Sequence, residues 1–98
     1  MITRIVKLYF LPDKVVEFND LFIAVKNKIA GFEGCIHLEL WRDVNEKNVY
    51  FTYSIWESER HLNQYRFSEL FKDTWQKTKI LFSQKPEARS LETMIKVK

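Results

Sequence analysis

Residues 48–74, NVYFTYSIWESERHLNQYRFSELFKDT, hold the elements from which the rest of the chain takes its place. Residues 48–56 are rich in β-branched and aromatic side chains and contain neither Gly nor Pro, so they read as a strand that needs cover on both faces. Glu57 and Ser58 end it. Ser58 can offer its hydroxyl oxygen to the free amides of a helix beginning at Glu59, and Ser68 repeats the arrangement ahead of Glu69, Leu70 and Phe71. The expected order is strand, short helix, break, longer helix. An aromatic strand feeding helices rich in aromatics is expected to leave a concave apolar space between them, where small-molecule chemistry would sit.

Upstream, Ile2 to Phe10 reads as a strand with Ile2, Val6, Leu8 and Phe10 on one side and Ile5 and Tyr9 on the other. Pro12 suits the first turn of a helix, and Phe18, Leu21, Phe22, Val25 and Ile29 recur at helical steps, giving one amphipathic helix from about Asp13 to Ala30, capped by Gly31. After Gly34, Cys35 to Arg42 alternates cleanly and forms an antiparallel hairpin with the central strand. An odd-sum register sets Ile36, Leu38 and Leu40 beside Val49, Phe51, Tyr53 and Ile55. The other face is then Cys35, His37, Glu39, Trp41, Tyr50, Thr52, Ser54 and Trp56, which keeps Glu39 away from large apolar neighbours. Downstream, Phe71, Trp75, Thr78 and Phe82 make a stripe facing the sheet, Pro86 ends the helical stretch, and Ala88 to Val97 resembles a last strand.

The order is β-α-β-β-α-β, a ferredoxin-like α+β fold with a four-stranded antiparallel sheet, in one domain covering residues 1–98. Two helices cover only one face of such a sheet, yet both faces of the middle strands are apolar or aromatic. The uncovered face therefore calls for a partner, and the simplest is a second copy of the chain, two sheets closing into a dimeric α/β barrel.

Composition narrows the function. Hydrophobic residues at 46% and aromatics at 15% exclude a disordered chain. Sixteen Lys and Arg against thirteen Asp and Glu give a net charge of +3, with the basic residues scattered, so nucleic acid is not an expected partner. No apolar run approaches the roughly twenty residues of a membrane span, and the single Cys35 has no internal disulfide partner, so a reducing cytoplasm is expected. No His, Cys and carboxylate spacing suggests a metal site and no glycine-rich loop could cradle a phosphate, so no cofactor is expected.

The strand order, the Gly-Cys opening of GFEGCIHLEL and above all SIWESERHLNQYRFSELFKD resemble the antibiotic biosynthesis monooxygenase family, small dimeric α/β barrels, over about Ile2 to Leu91. The resemblance implies a site between sheet and helices, which assigns the mixed face to the pocket and the apolar face to the dimer. Haem-degrading relatives carry an axial histidine where this chain has Trp75, and an indole cannot ligate iron. Many oxygenase relatives carry a glutamate where this chain has Ser54.

On that face His37 is the candidate catalytic base, since a histidine titrating near neutrality could remove a phenolic proton, and Glu39 could orient it. Thr52, Ser54, Trp56, Tyr65, Phe71 and Trp75 are the candidate substrate pocket, an aromatic wall with hydroxyl and indole donors for a small aromatic ligand. The bland reading of the same aromatics is core packing. His61 reads as a helix-surface hydrogen bonder and Cys35 as a small buried hydrophobe. The expected function is a cofactor-independent monooxygenase acting on a small phenolic or quinol-like ring. The alternatives are a non-catalytic dimeric ligand-binding domain and, third, a haem-degrading enzyme.

Overall fold

The computed structural model describes residues 1–98. Its elements are β1 (Ile2–Tyr9), a 3-10 turn (Pro12–Lys14), α1 (Val15–Ala30), β2 (Cys35–Arg42), β3 (Val49–Trp56), α2 (Glu59–Arg66), α3 (Glu69–Lys79) and β4 (Glu87–Leu91). The sheet order is β2-β3-β1-β4, with every neighbouring pair antiparallel. This is the ferredoxin-like arrangement, and the two most apolar strands, β1 and β3, hold its centre.

The local signals explain most of the boundaries. Pro12 occupies the first turn ahead of α1, though that turn is 3-10 and the α-helix proper begins at Val15. The Ser58 hydroxyl accepts from the His61 amide at 3.2 Å and the Ser68 hydroxyl accepts from the Phe71 amide at 3.1 Å, so both serines start their helices as expected. Helix α3 stops at Lys79, before Pro86. Leu81 and Phe82 turn back onto the end of β1, where the Leu11 amide donates to the Leu81 carbonyl at 3.0 Å and Phe10 bridges Phe82. Backbone hydrogen bonding to the strand end outcompetes further helix.

Strand β4 is shorter than the expected Ala88 to Val97. Leu91 pairs with Thr3 and β1 begins at Ile2, so beyond Leu91 the edge offers almost no backbone to pair with, and Met94, Ile95 and Val97 are exposed.

The register of β2 on β3 differs from the odd-sum expectation. Cys35 pairs with Trp56, but His37 pairs with Ile55 and Leu38 with Ser54, because Ile36 is an extra residue at a bulge. A one-residue bulge inverts the parity of everything after it. Leu38 and Leu40 therefore face the helices with Ser54 and Thr52, and His37, Glu39 and Trp41 share the opposite face with Ile55, Tyr53 and Phe51. Glu39 is tolerated there because the face is open to water and His37 and Trp41 both bond to it.

All helices lie on one side. Leu8, Phe10, Phe18, Tyr50 and Leu81 form the buried core between the sheet and α1, with the rings of Phe10 and Phe18 stacked 4.1 Å apart. Across the sheet, Ile5, Tyr9, Phe51, Tyr53 and Ile55 have no helix over them.

Gly34, just before the bulge, has φ +89°, and a Cβ there would lie 2.4 Å from the His61 side chain. Its carbonyl accepts the Glu57 amide at 2.9 Å, tying the entry to β2 against the end of β3. Gly34→Ala is expected to lower stability by about 2–3 kcal/mol, from the strained backbone and the clash together, read as a fall in the urea midpoint at unchanged slope.

Candidate functional site

A cavity of about 330 Å³ opens between the helix-facing side of the sheet and helices α1, α2 and α3. Its floor comes from β1 and β3, where alternation presents Arg4, Val6 and Leu8 from one strand and Thr52, Ser54 and Trp56 from the other. Its wall is a run of rings. Trp56 stacks on Tyr65 at 4.9 Å, Tyr65 meets Phe71 edge-on at 5.3 Å, and Phe71 lies nearly parallel to Trp75 at 5.7 Å.

Ser68 sets the corner in this wall. Besides capping α3, its hydroxyl donates to the Tyr65 carbonyl at 2.6 Å, so one side chain joins the last turn of α2 to the first of α3. The break between the two helices thus places Tyr65 and Phe71 on adjoining faces of one cavity.

The polar groups are few. The Trp56 indole donates to the buried Ser54 hydroxyl at 3.0 Å, which leaves the Ser54 proton free for another acceptor. Thr78 donates to the Thr74 carbonyl at 2.7 Å, and the Thr74 hydroxyl oxygen is buried without any partner. Burial pushes the Tyr65 phenol far above its ordinary pKa, with the neighbouring Cys35 a smaller cause, so Tyr65 keeps a proton that it could donate.

Arg4 and Arg66 both line the cavity, which has no Asp, Glu, His or Cys in its lining. The Arg4 guanidinium donates to the Ser90 hydroxyl at 3.0 Å and is held below its usual basicity by burial and by the positive charge of Arg66.

Of the residues singled out in the sequence, Thr52, Ser54, Trp56, Tyr65, Phe71 and Trp75 come together around this cavity. His37 does not. The bulge puts it on the open face of the sheet, hydrogen-bonded to Glu39 and edge-on to the Tyr53 ring at 5.5 Å. Glu39 also accepts from the Trp41 indole at 2.7 Å, and these two bonds, His37 first, hold its carboxyl below the ordinary range. His37 is therefore not positioned to serve as a base for anything in the cavity.

His61 packs under Gly34 with its Nδ1 2.7 Å from the Ser58 hydroxyl, outside the cavity lining. Cys35 is half-buried, its thiol pushed up by burial. The sequence reading missed Arg4, Arg66 and Thr74. Arg4 sits on the alternating face of β1 that includes Val6 and Leu8, and that parity was the available signal.

Residues 1–77 match the family model for antibiotic biosynthesis monooxygenase. The chain belongs to that family. The fold is shared with a conserved protein from Methanosarcina mazei, at TM-score 0.87 and 23% identity over 93% of this chain and 91% of that one. It is also shared with an antibiotic biosynthesis monooxygenase, at TM-score 0.91 and 14% identity over 97% and 100% of the two chains. Rv0793 from Mycobacterium tuberculosis superposes at TM-score 0.89 with 14% identity, over 99% of this chain and 98% of that one. No curated protein matches the chain by sequence. No helix of this family member is long and apolar enough to cross a membrane.

The half-buried Tyr65 phenol gives a pH signature. An unfolded tyrosine ionises near about pH 10, whereas the folded Tyr65 keeps its proton, so above that pH the native state binds more protons than the unfolded one. Stability contributed by this difference is complete below about pH 10 and is lost as pH rises further. Thermal melts of Tyr65→Phe are expected to fall less steeply on the alkaline side than those of the unsubstituted protein.

Proposed function

We propose that this family member is a cofactor-independent monooxygenase acting on a small phenolic or quinol-like aromatic compound, and that it works as a homodimer closed through the open face of its sheet. The observation that carries the first part is the cavity itself. A space of about 330 Å³ walled by four conjoined rings suits a flat ligand, and Thr52, Ser54 and Tyr65 add hydroxyl-bearing side chains to its lining.

The chemistry needs little from the protein. Loss of a phenolic proton makes the ring electron-rich enough to reduce dioxygen by one electron, and the resulting radical pair joins to form a carbon–peroxide bond. Proton uptake and loss of water from the peroxide leave a quinone carbonyl. One oxygen atom enters the product and the other leaves as water. The apolar wall keeps bulk water from the peroxide, and the Ser54 and Tyr65 hydroxyls donate to the developing phenolate oxygen. No lining side chain is an acid or a histidine, so the proton passes to water at the cavity mouth. The rate is then set by the substrate's own ionisation.

Oxygen uptake with a panel of hydroquinones and anthrones tests the reading. Turnover should rise with pH until the substrate is ionised, without a plateau near histidine's ordinary range of about 6.5. Tyr65→Phe should lower kcat by roughly a hundredfold to a thousandfold with a smaller change in KM, as loss of one donor to a developing oxyanion does. Absence of oxygen uptake across the panel, with an aromatic ligand retained by the purified protein, would favour a non-catalytic binding domain instead, a reading that the lack of a base in the cavity supports. Haem is disfavoured because Trp75, not a histidine, stands in the wall.

The dimer rests on the open face, where Phe51, Tyr53 and Ile55 lie beside Ile5 and Tyr9 and the Trp41 indole stacks on Tyr53 at 4.7 Å. Apolar surface in one continuous sheet face is stabilised when a second copy covers it. Light scattering at micromolar concentration is expected to give twice the chain mass, and Tyr53→Glu, which puts a charge in the middle of that face, a single chain. A stable single chain without the substitution would remove the dimer.

A further inference from the structure

We propose that the cavity is built for an aromatic acid, its carboxylate held between Arg4 and Arg66 and its ring laid along the wall from Trp56 to Trp75. This rests on the reading of the cavity as an aromatic-ligand site and adds the ligand's charge. The two guanidinium groups come from elements distant in sequence, β1 and the last turn of α2, and line the same space. No carboxylate lines that space, and neither arginine takes part in any ion pair of the chain.

An exposed arginine without a partner is ordinary, because water solvates it. Arg4 is different. It is half-buried on the helix-facing side of a central strand, and its hydrogen-bond acceptor, the Ser90 hydroxyl, is neutral and leaves the charge uncompensated. The repulsion from Arg66 raises the cost of keeping both cations at one cavity.

A neutral ring entering the cavity would displace water and worsen that repulsion. A ring bearing a carboxylate would relieve it. Each guanidinium presents a planar fork of donors, and two forks match an anion with two oxygens better than a phenolate with one. The buried Thr74 hydroxyl, without a protein partner, lies in the same lining and adds a neutral donor.

Calorimetric titration with a hydroxynaphthoate and with the matching naphthol tests the proposal. The acid is expected to bind about tenfold or more tightly than the naphthol, the difference one charge-assisted pair supplies, and to weaken as salt is raised. Arg66→Gln and Arg4→Gln should each weaken the acid by about tenfold while moving the naphthol by no more than about twofold. Arg66 is exposed at the end of α2 and its charge repels Arg4, so its variant should melt no lower than the parent and carries the test if Arg4→Gln disturbs β4. Equal affinity for acid and naphthol, or no loss in Arg66→Gln, would overturn the proposal and leave the oxygenase reading untouched. A clear preference for the acid without oxygen uptake would overturn the oxygenase reading and support this one. Failure of both compounds to bind would overturn both.

Discussion

Neighbouring side chains on a strand point to opposite faces, and with helices on one face only, that alternation divides this molecule into a chamber side and an open side. Everything of functional interest follows from which residues fall on which side. In β1 the parity sends Arg4, Val6 and Leu8 inward and Ile5, Lys7 and Tyr9 outward. In β3 it sends Thr52, Ser54 and Trp56 inward. A single inserted residue in β2, Ile36, reverses the sides for the rest of that strand, so His37 leaves the chamber and Leu38 and Leu40 enter the helical layer.

The chamber is held by joints that are themselves part of its wall. Trp56 is almost completely buried, ends β3, bonds to Ser54 on its own strand and stacks on Tyr65 from α2. Ser68 links α2 to α3 and so fixes the angle between Tyr65 and Phe71. Rings that line the cavity thus also join sheet to helix, so the same aromatic contacts pack the core and shape the chamber. A rigid wall of this kind lowers the ordering cost of binding a flat ligand.

The chamber's electrostatics are as selective as its shape. It excludes acids and histidines and admits two arginines, an arrangement that costs stability in the empty protein through burial and like-charge repulsion. Tyr65, pushed up by burial, and Ser54, already accepting from Trp56, are left as donors. The site is therefore rich in groups that hold negative charge and poor in groups that remove protons, which fits chemistry in which the substrate supplies its own electrons.

Much of this was legible in residues 48–74 and their flanks. The uninterrupted aromatic strand, the Ser58 and Ser68 helix starts and the three-and-four spacing of α1 are local signals, set by propensity, capping and periodicity, and they determined the element order and hence the ferredoxin-like fold. That Thr52, Ser54 and Trp56 share one face followed from alternation along the strand, whereas the choice of that face for the cavity came from the family resemblance. The bulge followed from neither, because Ile36 is an extra residue only with respect to β3, and that count is fixed when the two strands pair. The meeting of Arg4 with Arg66 and the early end of β4 at the start of β1 are likewise decided by backbone pairing across distant segments. Alternation along a strand is written in its sequence, but which strand it is measured against, and from which residue, is set only when the strands pair.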